Sequence, residues 1–82
     1  MIQYNMREVR TAIFRLVEVG TRINVKELEN LKWFLILNDG FKKRGWLEIE
    51  LLGLTLHTLN EKGYLEKYHD SKTNERFYIR VK

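Results

Sequence analysis

Apolar residues recur every third or fourth position through most of this chain and every second position over its last twenty or so residues. A helix brings side chains back to one face after about 3.6 residues and a strand after two, so this change of period marks a change of element. It falls at Gly63. A chain of 82 residues written this way is one domain that places helices first and a β-hairpin last, an α+β arrangement.

The elements can be read in order. Val9, Ile13, Leu16 and Val17 share one helical face, which predicts a first helix over about 5–19. Glu8 near its start and Arg15 near its end suit the helix dipole, and Gly20 stands where a C-terminal cap would. Thr21 to Val25 alternates and reads as a short extended piece. Asn24 is then a cap for a second helix, with Glu27 three residues on and Leu28, Leu31 and Leu35 on the buried face. Trp33, Phe34, Ile36 and Leu37 make this segment apolar all round until Asn38-Asp39-Gly40 stops it. The same stretch also fits a β-hairpin turning at Asp39-Gly40.

A third helix is predicted from Trp46 to Lys62, with Ile49, Leu52, Leu56 and Leu59 on one face and Gly63 closing it. Tyr64–Tyr68 and Phe77–Val81 are β-prone arms around the polar turn His69–Arg76.

A domain this short has a limited core, and its usual aids are disulfides, a metal or a second subunit. Absence of cysteine removes disulfides and thiolate metal sites, so a second subunit remains. The net charge is +4, and between Lys62 and Lys82 six Lys/Arg face three Asp/Glu, which favours a polyanionic partner. The longest apolar run, Trp33 to Leu37, is too short to cross a bilayer, and Met1 leads into Gln3, Tyr4 and Asn5 without a basic-then-apolar leader. An intracellular, cytoplasmic protein without membrane contact is expected.

Catalytic patterns are missing. His57 and His69 lack metal-ligand spacing, and Glu48 and Glu50 point to different faces of a helix. Gly40 and Gly45 are not followed by the Lys-Ser/Thr of a phosphate loop, and Ser71 lies alone in a turn. No enzyme, metal, cofactor or small-molecule ligand is expected.

Leu52, Leu56 and Leu59, followed by Glu61-Lys62-Gly63-Tyr64-Leu65-Glu66-Lys67, resemble the end of a winged-helix recognition helix and its passage into the wing. Arg76-Phe77-Tyr78-Ile79-Arg80-Val81 is similar to the returning wing strand of MarR-like and PadR-like regulators. The resemblance spans roughly residues 7–82 and is sharp only over 52–82. It implies a three-helix winged helix-turn-helix with a C-terminal two-stranded β-hairpin wing. It also implies a function: a small transcriptional regulator that binds double-stranded DNA, with helix 3 in the major groove and the wing on the minor groove or backbone.

The residues suit that use. Lys72, Asn74 and Arg76 at the hairpin tip reach toward phosphates, and Arg suits a narrow minor groove. Lys42, Lys43 and Arg44 precede helix 3, where the helix dipole adds attraction for phosphate. With Ile49 and Leu52 inside, the outward positions of helix 3 are Glu48, Glu50, Leu51, Leu54, Thr55 and Thr58, of which Thr55 and Thr58 are the candidates for bases or phosphates. The segment between Gly20 and Gly63 is several residues longer than a compact MarR-like helix pair, with the insertion expected around Asn38–Gly45.

Trp33, Phe34, Ile36, Leu37, Trp46, Leu47 and Leu51 exceed what one small core can hold. Their surplus predicts an exposed patch and a homodimer. The rival reading is a protein-contact module that uses the acidic, leucine-rich outer face of helix 3; RNA binding is a third.

Overall fold

A computed structural model describes residues 2–38 and 45–82, with side chains described for 4–38 and 47–82. The order of elements is β1 (Ile2–Gln3), α1 (Met6–Leu16), β2 (Arg22–Asn24), a 3-10 turn (Val25–Glu27), α2 (Leu28–Asn38), β3 (Gly45–Trp46), α3 (Ile49–Glu61), β4 (Leu65–Asp70) and β5 (Glu75–Arg80). The helical reading of Trp33–Leu37 holds, and the hairpin alternative for that stretch does not.

α1 begins where its residues can satisfy its first amides. The Asn5 side chain accepts from the Glu8 amide at 2.9 Å, and the Glu8 carboxylate accepts from the Asn5 amide at 3.4 Å, a reciprocal capping box. The helix ends at Leu16, three residues before the predicted end, because Val17 is already extended at φ −95°, ψ 112°. Gly20, with φ +92°, therefore does not cap the helix. It turns the chain into β2, and its amide donates to the Arg80 carbonyl at 2.7 Å. Only glycine takes that backbone conformation without strain.

Asn24 caps the 3-10 turn rather than α2 itself, accepting from the Lys26 amide at 2.9 Å. α3 starts at Ile49, not Trp46, and ends as its sequence predicts. Gly63 has φ +84°; its amide donates to the Asn60 carbonyl at 3.1 Å and the Tyr64 amide to the Leu59 carbonyl at 3.0 Å. These two bonds satisfy carbonyls that the last turn leaves over, the Schellman arrangement.

The sheet corrects the expected two-stranded wing. Arg22–Asn24 joins as a third strand, giving the antiparallel order β2-β5-β4. Arg22 lies opposite Ile79, Ile23 opposite Tyr78 and Asn24 opposite Phe77. Alone, β5 would leave a row of backbone donors and acceptors unpaired on its inner edge, and β2 takes them up. β4 and β5 are also longer than predicted, so the turn shrinks to 71–74. β1 and β3 form a separate two-residue parallel pair.

Packed between sheet and helices are Val9, Ala12 and Ile13 of α1, Leu35 of α2, Leu52, Leu56 and Leu59 of α3, and Ile23, Leu65 and Tyr78 of the sheet, joined by Tyr4, Val17 and Leu47. A fully buried Leu or Ile of this kind contributes about 1.5–3 kcal/mol relative to an exposed one. The core thus fastens β2, β4 and β5 to α3, and beyond Leu65 the β4 strand runs out with no further buried residue.

Candidate nucleic-acid interface

Residues directly opposite in an antiparallel pair share a face, so the register of β4 and β5 sorts the hairpin into two faces. Leu65 faces Arg80, Lys67 faces Tyr78 and His69 faces Arg76. Leu65 and Tyr78 are buried in the core, so this is the side turned toward the helices. Its outer half carries Lys67, His69 and Arg76 and no carboxylate. Lys67 Nζ lies 5.9 Å from the centroid of the Tyr78 ring.

The opposite face collects the acids. Glu66 faces Ile79, Tyr68 faces Phe77 and Asp70 faces Glu75. Here Arg22 Nη2 lies 3.6 Å from Glu75 Oε2, and its guanidinium sits 3.7 Å above the Phe77 ring centroid. Tyr68 and Phe77 stack with centroids 5.5 Å apart, and the Tyr68 hydroxyl donates to Glu66, a hydrogen bond that, together with the carboxylate's negative charge, raises the phenol above its ordinary value. The hairpin is therefore polarised, with Lys67 and Arg76 on its helix side and its carboxylates behind, where Arg22 of β2 meets Glu75.

The tip is held by its own polar groups. Asp70 Oδ1 accepts from the Lys72 amide at 2.9 Å, and this bond lowers the Asp70 pKa. His69 Nε2 and Asn74 Oδ1 are 2.8 Å apart, and Asn74 has φ 57°, a left-handed conformation that Asn tolerates. Asn74 thus shapes the turn. Lys72 and Arg76 are exposed, and no ion pair among the described residues engages either one.

The Asp70 contribution carries a sign. Because the folded carboxyl titrates below its unfolded value, its stabilisation is present at neutral pH and is lost as pH falls through the carboxylate range. Asp70→Asn is expected to lose stability relative to the parent at pH 7 and to match it more closely near pH 3. Thermal melts at the two values check this, and an equal difference at both would contradict the assigned bond.

α3 turns out differently from its sequence reading. Thr55 is fully buried, and its Oγ1 donates to the Leu51 carbonyl at 2.7 Å. It cannot meet DNA as predicted. The inward arc of α3 is wide enough to take Leu52, Thr55, Leu56 and Leu59, and a threonine bonded to its own helix is tolerated there. Leu51 also packs at the edge of the core, not outward. Glu48 precedes the helix at its N-cap position without a capping side-chain bond. Thr58 is half-buried. The exposed stripe is Glu50, Leu54, His57 and Glu61, with His57 paired to Glu61 one turn on.

Lys42, Lys43 and Arg44 lie outside the described residues, as do the Asp39-Gly40 turn and the Trp46 side chain. Sequence reasoning missed Lys67 and His69 as partners of Arg76. Alternation within each arm was visible, but the pairing of His69 with Arg76 depends on where the turn closes.

The surplus apolar residues divide. Leu47 is buried and Ile36 and Leu51 pack against the core, whereas Trp33, Phe34 and Leu37 of α2 are 51%, 42% and 75% exposed. Beside them a groove of about 420 Å³ runs between the end of α1, β2 and α2. No described helix is long and apolar enough to cross a membrane.

These elements define a small α+β domain of three helices and a three-stranded antiparallel sheet. No family model, curated protein or solved structure matches the chain.

Proposed function

We propose that the chain is a winged helix-turn-helix protein that binds duplex DNA inside the cell, as a small transcriptional regulator. One observation carries the reading: the helix-facing side of the hairpin bears Lys67, His69 and Arg76 without a carboxylate, and Lys72 extends the same charge at the tip. The helix-strand-helix-helix-hairpin order, with the first of these strands added beside β5, supports it.

Phosphate contacts from the wing supply most of the affinity, because releasing condensed counterions from DNA is favourable for each phosphate neutralised. Such contacts position the protein without specifying sequence. Base contacts then fall to the middle of α3, where Leu54 and His57 are exposed and Thr58 is half-buried. Leucine methyls suit the methyl of thymine, and a hydroxyl suits either groove edge. Glu50 and Glu61 at the two ends of the stripe repel phosphates, so the wing leads the contact.

Mobility shift with random duplex should show binding at about 50 mM salt that weakens steeply toward about 200 mM, with a slope of about 0.9 per phosphate contact. Lys72→Ala combined with Arg76→Ala should flatten that slope by nearly two. The exposed Leu54 between Glu50 and Glu61 favours a second reading, a protein-contact surface on α3. Absence of binding to duplex DNA at low salt would select it.

A further inference from the structure

We propose that the exposed face of α2, with the groove beside it, is a two-fold interface between two copies of this chain. The inference goes beyond DNA binding and stands on other residues. Trp33, Phe34 and Leu37 lie on one side of α2, three and four residues apart, and remain 51%, 42% and 75% exposed. Together they leave on the order of 300 Å² of apolar surface in water, comparable to the largest patch on a typical monomer, which is often a functional surface.

The neighbouring groove of about 420 Å³ is floored by Leu16, Val17, Ile23 and Leu31 and shares Phe34 with the exposed face. Projection and recess therefore lie side by side on one surface. That is the requirement for a two-fold contact, in which each copy inserts its projection into the recess of the other.

Charge around the rim agrees with a second copy. Glu18 and Glu27 line the groove, Lys26 is exposed in the adjoining 3-10 turn, and Arg22, which also pairs with Glu75 in its own chain, lines the groove as well. A face with both signs offers each carboxylate a cation when turned on itself, where a face of one sign would repel its copy. The chain also exposes 5719 Å² in all, so a standard contact of about 800 Å² per partner takes roughly one-seventh of it. Among the described residues thirteen apolar side chains are buried in the core, and a second copy extends it across Trp33 and Leu37. Dimerisation through this face leaves the wing free and gives each assembly two wings.

Sedimentation of the full chain without DNA, from about 5 to about 300 µM, tests the proposal directly. A reversible dimer with a midpoint in the tens of micromolar or below is expected. Leu37→Glu and, separately, Trp33→Glu should each raise the dissociation constant at least about 30-fold while leaving the helical circular dichroism unchanged, since Leu37 is three-quarters and Trp33 half in water in the single chain. A wild-type chain that stays monomeric at about 300 µM overturns the proposal and leaves the face to a different protein. So does a dimer that neither substitution weakens, because its contact would lie elsewhere. DNA binding enters none of these readings, so loss of the dimer and loss of the nucleic-acid assignment are separate outcomes.

Discussion

Replacing Lys67 and Arg76 together by glutamate is expected to lower affinity for duplex DNA about 100-fold at moderate salt. The two side chains stand on the same face of the wing, Lys67 opposite Tyr78 and Arg76 opposite His69, where no acid offsets them. Reversal both removes two phosphate contacts and adds two repulsions. The change takes the net charge from +4 to zero, which by itself would weaken any cationic protein on DNA. Arg7→Glu with Arg10→Glu makes the same change in net charge on the first helix, at residues outside the proposed interface between copies. If both pairs weaken binding equally in titrations at matched salt, the wing has no special place and only overall charge matters. If the wing pair dominates, the polarised hairpin is the contact.

The second large effect concerns stability. Arg80→Met is expected to destabilise the fold by about 2–3 kcal/mol, lowering the melting temperature by about 10–20 °C in a domain of this size. Arg80 is half-buried at the end of β5, on the helix side of the sheet. Its Nη1 donates to the Phe14 carbonyl at 3.0 Å and to the Val17 carbonyl, and its Nε donates to the Lys82 carbonyl at 2.8 Å. The guanidinium carbon also lies 5.1 Å from the centroid of the Phe14 ring. One side chain thus caps the end of α1 from 63 residues away, serving carbonyls that no amide of the helix can reach. A cation there also answers the negative end of the helix dipole. Methionine keeps the packing volume and removes every donor, so the carbonyls lose their partners without a cavity forming. A loss below about 0.5 kcal/mol would mean that water serves those carbonyls equally well. Arg80→Lys should recover part of the difference, because one ammonium reaches fewer carbonyls than the planar fork.

Arg80 also shows where reading the chain stops short. In sequence it is one of six basic residues in a basic tail, indistinguishable from Lys72 or Arg76 as a phosphate ligand. In the fold it is a structural cap, whereas Lys72 and Arg76 are exposed. Thr55 is a similar case. Its hydroxyl placed it among candidates for DNA, yet the arc buried on α3 is set by how α1, α2 and the sheet close over it. The same closure leaves Glu50, Leu54, His57 and Glu61 outside. Counting apolar residues on a helical wheel locates the centre of a buried face but not its width, which depends on how many elements pack against it.

What residues alone settled about this protein lies within a turn or two of each one. Asn5 and Glu8 open the first helix, Gly63 closes the third, and the change to alternating residues at Tyr64 begins the hairpin, because capping, positive φ and side-chain period are contacts between near neighbours. The surplus of apolar residues on α2 was also plain, since a count of Trp, Phe and Leu needs no geometry. Tertiary structure decided the rest: that Arg22–Asn24 pairs with β5, that Arg80 serves α1, that Lys67 and His69 join Arg76 on one face. Each of these joins residues whose meeting depends on chain closure and register, and a three-residue strand carries too little pattern of its own to name its partner.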